Sequence, residues 1–261
     1  MPSISLTNPT NIIRLDFNVV GTQKLGGLIQ DLSQFVNLSR LTMPGHDLVG
    51  YIPDISVNTL LTMFQLPNNK LTGEIPDLSS NVQLKFLNLH ENQLTGSIPD
   101  LSSNTLLKHF TCNSNQLTGS IPDLSSNTAL EQFKCQNNNL TSFATGFNFN
   151  SAITIFNCSF NSITAEIPSL TGTNLTQFLC NGNTSISVAS NFAVPASLLE
   201  FQSQNCNMSE STVNAILSAF NLAGASSGTL YIGGNNAQPT GGTANQDYLD
   251  LISKNWSVGI F

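Results

Sequence analysis

The stretch SNQLTGSIPDLSSNTALEQFKCQNNNL, residues 114–140, nearly repeats ENQLTGSIPDLSSNTLLKHFTCNSNQL, residues 91–117, and the two are offset by 23 residues. A near-copy at a constant offset is the mark of a chain built from stacked structural repeats, in which each copy contacts only its neighbours. The fold is therefore decided by this repeat, and every other motif has to be read within it.

Further copies are found when the chain is aligned on the first leucine of the unit, which we define as position one. A worn first copy is recognised because KLGGLIQDLS, residues 24–33, matches KLTGEIPDLS, residues 70–79. The copies begin near residues 15, 38, 61, 84, 107, 130, 153, 175 and 198. The unit reads LxxFxCxxNxLTGxIPDLSSNxx and resembles the leucine-rich repeat, in the LTGxIP form best known from plant receptors. The resemblance covers roughly residues 12–208.

The repeat also predicts which side chains face inward. Position four holds Leu or Phe in the copies from Leu41 to Phe201, and position six holds mostly Leu or Cys. Alternate residues of a strand share a face, so these two columns should point inward and position five outward. The fold class predicted is an α/β repeat solenoid with a curved parallel sheet of about nine strands. The resemblance implies the same architecture, and a binding module rather than an enzyme.

Beyond Met208 the pattern changes. SESTVNAILSAFNLAG, residues 209–224, has apolar side chains at helical spacing behind a serine-rich start, which predicts a helix. GTLYIGGNN then repeats the strand pattern, with Leu230 and Ile232 inward and Asn235 as the turn residue.

A second helix and a closing strand complete the predicted cap. In TANQDYLDLISKNW, Thr243 and Gln246 have the spacing of a capping box, and WSVGIF alternates like a strand. We therefore divide the chain into a solenoid, residues 1–208, and a C-terminal cap, residues 209–261, within one structural domain. The cap resembles the tails of repeat proteins encoded among tailed-phage virion genes.

Two polar columns recur with the period of the repeat. Position nine is mostly Asn, and a stacked amide ladder there can satisfy backbone groups where the chain leaves the strand. An Asp recurs before Leu-Ser or Ile-Ser, and two interpretations stay open: a cap that accepts backbone N–H bonds, or a row of cation sites. These aspartates are Asp31, Asp54, Asp77, Asp100 and Asp123.

The five cysteines are interpreted as small buried hydrophobes. Four occupy the inward sixth position, where side chains that point the same way rarely reach disulfide geometry. Zinc sites use ligands two to four residues apart, and that spacing is absent. The paired-cysteine caps of secreted plant and animal relatives are also absent, which fits a chain that needs no oxidising compartment.

Composition narrows the classes of partner. The formal charge is −7, and eight Lys and Arg provide no basic patch for nucleic acid or an anionic membrane surface. No run of 18 apolar residues predicts membrane insertion. The first residues lack the basic stretch and apolar core of a signal peptide, so we expect no secretory leader.

No catalytic motif is found in the sequence. The three histidines include His90 and His109, on outward positions of adjacent repeats, without a carboxylate or nucleophile placed beside them by the pattern. We therefore expect no enzyme activity, no cofactor and no metal site.

The variable surface of the repeat is the outward set of its strand, positions two, three, five, seven and eight. The copies share the same residue types at inward positions but differ at these outward positions, which is expected of a surface that is free to adapt to a ligand. We expect a protein partner to bind these side chains, a glycan is the second possibility, and a merely solvated polar face is the third. The candidate contact residues are Arg40, Met63, Gln65, Phe86, Asn88, His109, Thr111, Gln132, Lys134, Ile155 and Asn157.

Three functional hypotheses follow. The leading one is a non-enzymatic interaction protein of a tailed-phage particle that binds a virion protein or a host surface molecule. The second is a structural or decorating virion subunit whose outward sheet faces water. The third is a bacterial surface or secreted recognition protein, which would place the chain outside the cell rather than in a virion.

Overall fold

The structure, a computed structural model, describes residues 12–17 and 24–261. Its central feature is a parallel sheet, with eleven strands in these residues, in which each strand pairs with the equivalent strand of the next repeat. The strands are β1 (Arg14–Asp16), β3 (Arg40–Thr42), β5 (Met63–Gln65), β7 (Phe86–Asn88), β9 (His109–Thr111), β11 (Gln132–Lys134), β13 (Ile155–Asn157), β15 (Gln177–Leu179), β17 (Glu200–Gln202), β18 (Gly228–Tyr231) and β19 (Trp256–Gly259). The predicted solenoid is confirmed: nine strands come from the repeats and two from the cap.

A second set of short strands lies on the opposite, convex side of the turns. It forms one four-stranded sheet and two separate pairs. The sheet contains β2 (Gly27–Leu28), β4 (Leu48–Tyr51), β6 (Lys70–Glu74) and β8 (Gln93–Thr95), and the pairs are β10 (Ser120–Ile121) with β12 (Ser142–Phe143) and β14 (Thr164–Ile167) with β16 (Ser185–Val188).

The first copy starts earlier than the sequence pattern predicts. β1 pairs with β3 in a register that sets Leu15 opposite Leu41, which is a fourth-position residue. The copy therefore begins at Ile12 and not at Leu15, because its connection to the next copy is longer than in the later repeats.

Inward phenylalanines form the spine of the core. Phe110, Phe133, Phe156, Phe178 and Phe201 are fully buried. Neighbouring rings lie 5.3–5.7 Å apart, and the Phe133–Phe156 and Phe178–Phe201 pairs are stacked, at 12° and 11°. Aromatic pairs at such distances contribute roughly 0.5–1.5 kcal/mol beyond area burial, so adjacent repeats are coupled along the whole spine.

The predicted asparagine ladder at position nine is confirmed. In Asn138, the amide nitrogen donates to the carbonyl oxygens of Cys112 (3.1 Å) and Cys135 (3.0 Å), and the amide oxygen accepts from the N–H of Leu117 (2.9 Å). The same pattern recurs at Asn69, Asn92, Asn115, Asn161 and Asn183. One side chain thus joins two repeats where the chain leaves the main sheet, and fixes the edge of that sheet.

A second asparagine ladder was not predicted from the sequence. Asn81 donates its side-chain N–H groups to the carbonyl oxygens of Ile55 (2.9 Å) and Asn58 (3.1 Å), in the preceding repeat, and is fully buried. Its equivalents are Asn58, Asn104 and Asn127. The last residue of each DLSSN or equivalent turn is therefore a core residue.

The recurrent aspartates cap the turns by accepting backbone N–H bonds, which was one of the two interpretations drawn from the sequence. Asp77 accepts from the N–H of Ser79 at 2.9 Å and from its hydroxyl at 2.8 Å. These bonds lower the pKa of the Asp77 carboxyl, and the Ser33 hydroxyl and N–H likewise lower that of Asp31. The same two-point contact recurs at Asp54, Asp100 and Asp123.

The cap closes the open end of the core. Helix α1 (Glu210–Leu222) begins after Ser209, whose side chain accepts from the N–H of Thr212. Phe220 of α1 packs edge-on against Phe201 at 5.4 Å and against Trp256 at 5.3 Å. The phenylalanine spine therefore ends on the cap and not in water.

Two details of the predicted cap are wrong. Helix α2 (Gln246–Ser253) is capped by Asn245, which accepts from the N–H of Tyr248, and not by Thr243, because a short 3-10 turn at Gly242–Ala244 precedes the helix.

The turn residue after β18 is also misplaced by the sequence pattern. Asn236 continues the position-nine ladder by donating to the carbonyl oxygen of Ser203 (2.8 Å), whereas Asn235 is exposed. The loop after Ile232 is one residue longer than in the repeats.

Candidate binding face

The main sheet presents one face away from the core, which we call the concave face: the side chains at positions two, three, five, seven and eight. In each strand from β5 to β17 the middle residue is buried and both neighbours are half-buried. In β3, Arg40 is half-buried but Thr42 is buried. The backbone thus holds a grid of partly exposed side chains with a spacing of ~4.8 Å between strands.

All eleven candidate contact residues lie on this grid. Strand pairing places them in two continuous columns. Position three contributes Arg40, Met63, Phe86, His109, Gln132 and Ile155, and position five contributes Gln65, Asn88, Thr111, Lys134 and Asn157.

The middle of the concave face combines an aromatic pair with charge. The rings of Phe86 and His109 meet edge-to-face, with centroids 5.3 Å apart and an interplanar angle of 80°. The His109 Nε2 lies 3.6 Å from one oxygen of Glu131, and Lys108 Nζ lies 3.5 Å from the other. Glu131 thus links two repeats across exposed side chains.

The two ends of the face differ from its middle. At the first strands, Arg40 Nε donates to Asp16 at 2.7 Å. At β17, Glu200 accepts from the amide groups of Gln177 and Gln202, the latter at 2.7 Å. The sheet thus has an Arg–Asp ion pair at one end and an amide-bonded carboxylate at the other.

The two outward histidines have separate partners. His90 Nδ1 lies 2.6 Å from the amide oxygen of Asn88, and His90 Nε2 lies 3.2 Å from the amide nitrogen of Asn68. Partial burial lowers the pKa of His90, although Glu91 opposes this. A neutral ring with one N–H donor fits both contacts, so His90 is a bridge between repeats.

The cysteines are buried and free, as the sequence interpretation expects. Burial raises the pKa of the Cys112, Cys135 and Cys158 thiols, which keeps them protonated. Cys206 occupies the ladder position and its thiol donates to the carbonyl oxygen of Cys180 at 3.0 Å. In the described residues, no group of three or more His, Cys, Asp or Glu side chains is placed to hold a metal ion.

A groove of about 530 Å³ lies on the convex side, where the repeat loses its Ile-Pro-Asp segment. Phe143, Asn148 and Glu166 are among its lining residues. Its walls come from three successive turns, and it is remote from the concave face.

The predicted contact residues include none from position two of the repeat. Lys85, Lys108 and Glu131 follow one another at this position, and the backbone N–H of each of the last two bonds to the carbonyl oxygen of the one before. The signal was available, because the three residues are spaced by 23 in the sequence.

Comparison with known proteins agrees with this geometry. The Leucine Rich Repeat family model matches residues 83–105. The ectodomain of the plant membrane receptor kinase GASSHO1/SCHENGEN3 from Arabidopsis thaliana superposes with a TM-score of 0.73 over 96% of this chain, at 20% identity. The fold is a leucine-rich-repeat solenoid. No curated protein sequence matches the chain.

Two further solved structures share the leucine-rich-repeat fold. PEPR1 in its complex with AtPEP1 has a TM-score of 0.67 and 21% identity over 89% of this chain. A plant ice-binding protein has a TM-score of 0.61 and 24% identity over 89% of this chain and 75% of its own. The solenoid spans only 30% of the GASSHO1/SCHENGEN3 chain and 33% of the PEPR1 chain.

Among residues 12–17 and 24–261, no helix has the length and apolar character that a bilayer span requires.

Proposed function

We propose that this protein is a non-enzymatic interaction module whose concave face binds a protein partner. The observation that carries the proposal is the contrast within the repeat. Buried columns repeat almost unchanged, whereas the half-buried grid varies from strand to strand and presents Met63, Phe86 and Ile155 among amides. Apolar and aromatic side chains that are partly exposed on a rigid sheet are the usual anchors of an interface.

The fold neighbours support a protein partner but do not identify one. The GASSHO1/SCHENGEN3 ectodomain is in complex with CASPARIAN STRIP INTEGRITY FACTOR 2, and PEPR1 is in complex with AtPEP1. A plant ice-binding protein also has this fold. A fold hosts many functions, so the proposal rests on the side chains of this chain.

The proposal is tested by capture from a lysate of the source, with the wild type compared with a Phe86→Asp, Lys134→Glu double variant. Both side chains are outside the core, so the fold should be kept, which circular dichroism checks. The matched control is Tyr51→Asp with Lys70→Glu, which also replaces an aromatic residue and a lysine by carboxylates, with the same change in net charge, on the convex sheet, where Tyr51 is 73% exposed. We expect a partner to be lost from the concave variant alone. A partner retained by that variant would contradict the proposal.

Two alternatives remain as proposals of their own. The first is a decorating subunit held by its ends or convex turns, which the capture experiment separates, since its partner would be retained by the Phe86→Asp, Lys134→Glu variant. The second concerns the setting: the cap sequence supports a tailed-phage virion, and the receptor-like fold supports an extracellular or cell-surface protein. Mass spectrometry of purified virions from the source distinguishes the two, because a virion component must be found there.

A further inference from the structure

We propose that the partner segment bound by the concave face is acidic and carries an apolar anchor residue. This inference rests on the proposed function and names the chemistry of the ligand. It is carried by the distribution of charge between the two sides of the solenoid, taken together with the position of the Phe86–His109 pair.

Charge is segregated between the concave face and the rest of the chain. The outward positions of the repeat, two, three, five, seven and eight, hold five basic residues and four acidic ones, a net charge of +1, although the whole chain carries −7. The basic residues are Arg14, Arg40, Lys85, Lys108 and Lys134, and the acidic ones are Asp16, Glu91, Glu131 and Glu200. All five of the recurrent aspartates lie in the turns, so the concave face is the basic side of an acidic protein.

In the middle of the face, the lysines at positions 85, 108 and 134 outnumber the acidic residues Glu91 and Glu131. Lys85 and Lys108 hold the same position in adjacent repeats, where like charges repel, and Glu131 lies within ion-pair distance of Lys108 but not of Lys85. Among the described residues, no carboxylate lies within ion-pair distance of Lys85 or Lys134. Carboxylates of a partner would relieve this repulsion, and they would do so without breaking an internal ion pair.

The aromatic pair supplies the apolar part of the site. Phe86 follows Lys85 in the chain and contacts the His109 ring, and Met63 is opposite Phe86 on the neighbouring strand. An apolar or aromatic side chain of the partner can pack on Phe86 and Met63 while flanking carboxylates reach Lys85 and Lys134. The chemistry that fits is therefore an acidic segment with one hydrophobic residue.

The test is selection from a displayed random peptide library on the immobilised protein. We expect the recovered peptides to be enriched in Asp and Glu around an apolar or aromatic residue. The affinity of a recovered peptide should fall as salt is raised, because exposed charges are screened within roughly 8 Å at physiological ionic strength. A Lys85→Glu, Lys134→Glu variant should bind it at least about tenfold more weakly, because attraction becomes repulsion.

The matched control has the same change in net charge beside Asp47, outside the concave face. Lys24→Glu with Lys70→Glu should leave the affinity for the recovered peptide unchanged. Neutral or basic peptides that need Phe86 but not the lysines would overturn the acidic ligand and leave the proposed function standing. Recovery that is no greater on the wild type than on the Phe86→Asp, Lys134→Glu variant would overturn both.

Discussion

Phe133→Ala is expected to lower the free energy of unfolding by about 3–5 kcal/mol. The ring is fully buried and packs between Phe110 at 5.3 Å and Phe156 at 5.7 Å. Its removal leaves a cavity in the spine and uncouples two neighbours at once. Since the stability of a solenoid is close to a sum of repeat and interface terms, the loss acts at the middle of the array.

Urea unfolding followed by circular dichroism measures this loss. The matched control is Gln132→Ala, on the same strand but facing outward, which we expect to change stability by no more than about 0.5 kcal/mol. A loss below about 1 kcal/mol for Phe133→Ala would mean that the ring is not packed in the core as described.

Asn138→Ala is expected to lower the free energy of unfolding by about 2–3 kcal/mol, although the side chain is polar. The substitution removes the bonds to the Cys112 and Cys135 carbonyl oxygens and to the Leu117 N–H. The two carbonyl oxygens keep a bond from a neighbouring ladder amide, because Asn115 also donates to Cys112 (3.0 Å) and Asn161 to Cys135 (3.1 Å). The Leu117 N–H loses the acceptor it has in Asn138, and an unsatisfied buried group costs roughly 1–3 kcal/mol. The penalty therefore comes mainly from the Leu117 N–H.

Asn139→Ala is the control for this second substitution, because Asn139 is the exposed neighbour of Asn138. The unfolding midpoints of the two variants in urea should differ clearly, with Asn139→Ala close to the wild type. Equal midpoints would show that the position-nine ladder does not stabilise the solenoid.

The repeat made most of the fold predictable. A period of 23 residues fixes the strand register, and alternation within the strand then separates the buried Phe column from the concave face. The ladder at Asn138 could be predicted because Asn recurs at the position where the chain leaves the strand and the backbone groups need new hydrogen-bond partners.

Outside the strand positions that the 23-residue period fixes, the prediction had to rely on local sequence rules, which were less reliable. The Thr243–Gln246 spacing satisfies a capping box, but Asn245 directly precedes the helix and its side chain accepts from the N–H of Tyr248. The ladder made by Asn81 was overlooked because polar residues in DLSSN turns are usually exposed. Its identical recurrence in four copies was the sign that this side chain is buried.

The candidate site was predictable in place but not in detail. Strand alternation located Phe86, His109 and Lys134 on one face. The contacts of Glu131 with Lys108 and with His109 depend on side-chain conformation across two strands, which no sequence pattern specifies. The alternation of inward and outward side chains along a strand does not identify the partner, because binding also depends on the surface of the other molecule.

Hydroxyl-radical footprinting of the protein, alone and with its captured partner, tests the concave face most directly. Met63 and Phe86 report on that face, and Tyr51 on the convex sheet and Leu222 on α1 serve as exposed references. We predict that the partner protects Met63 and Phe86 from oxidation and leaves Tyr51 and Leu222 unchanged. Protection of Tyr51 or Leu222, with Met63 and Phe86 oxidised as in the free protein, would contradict a concave binding face.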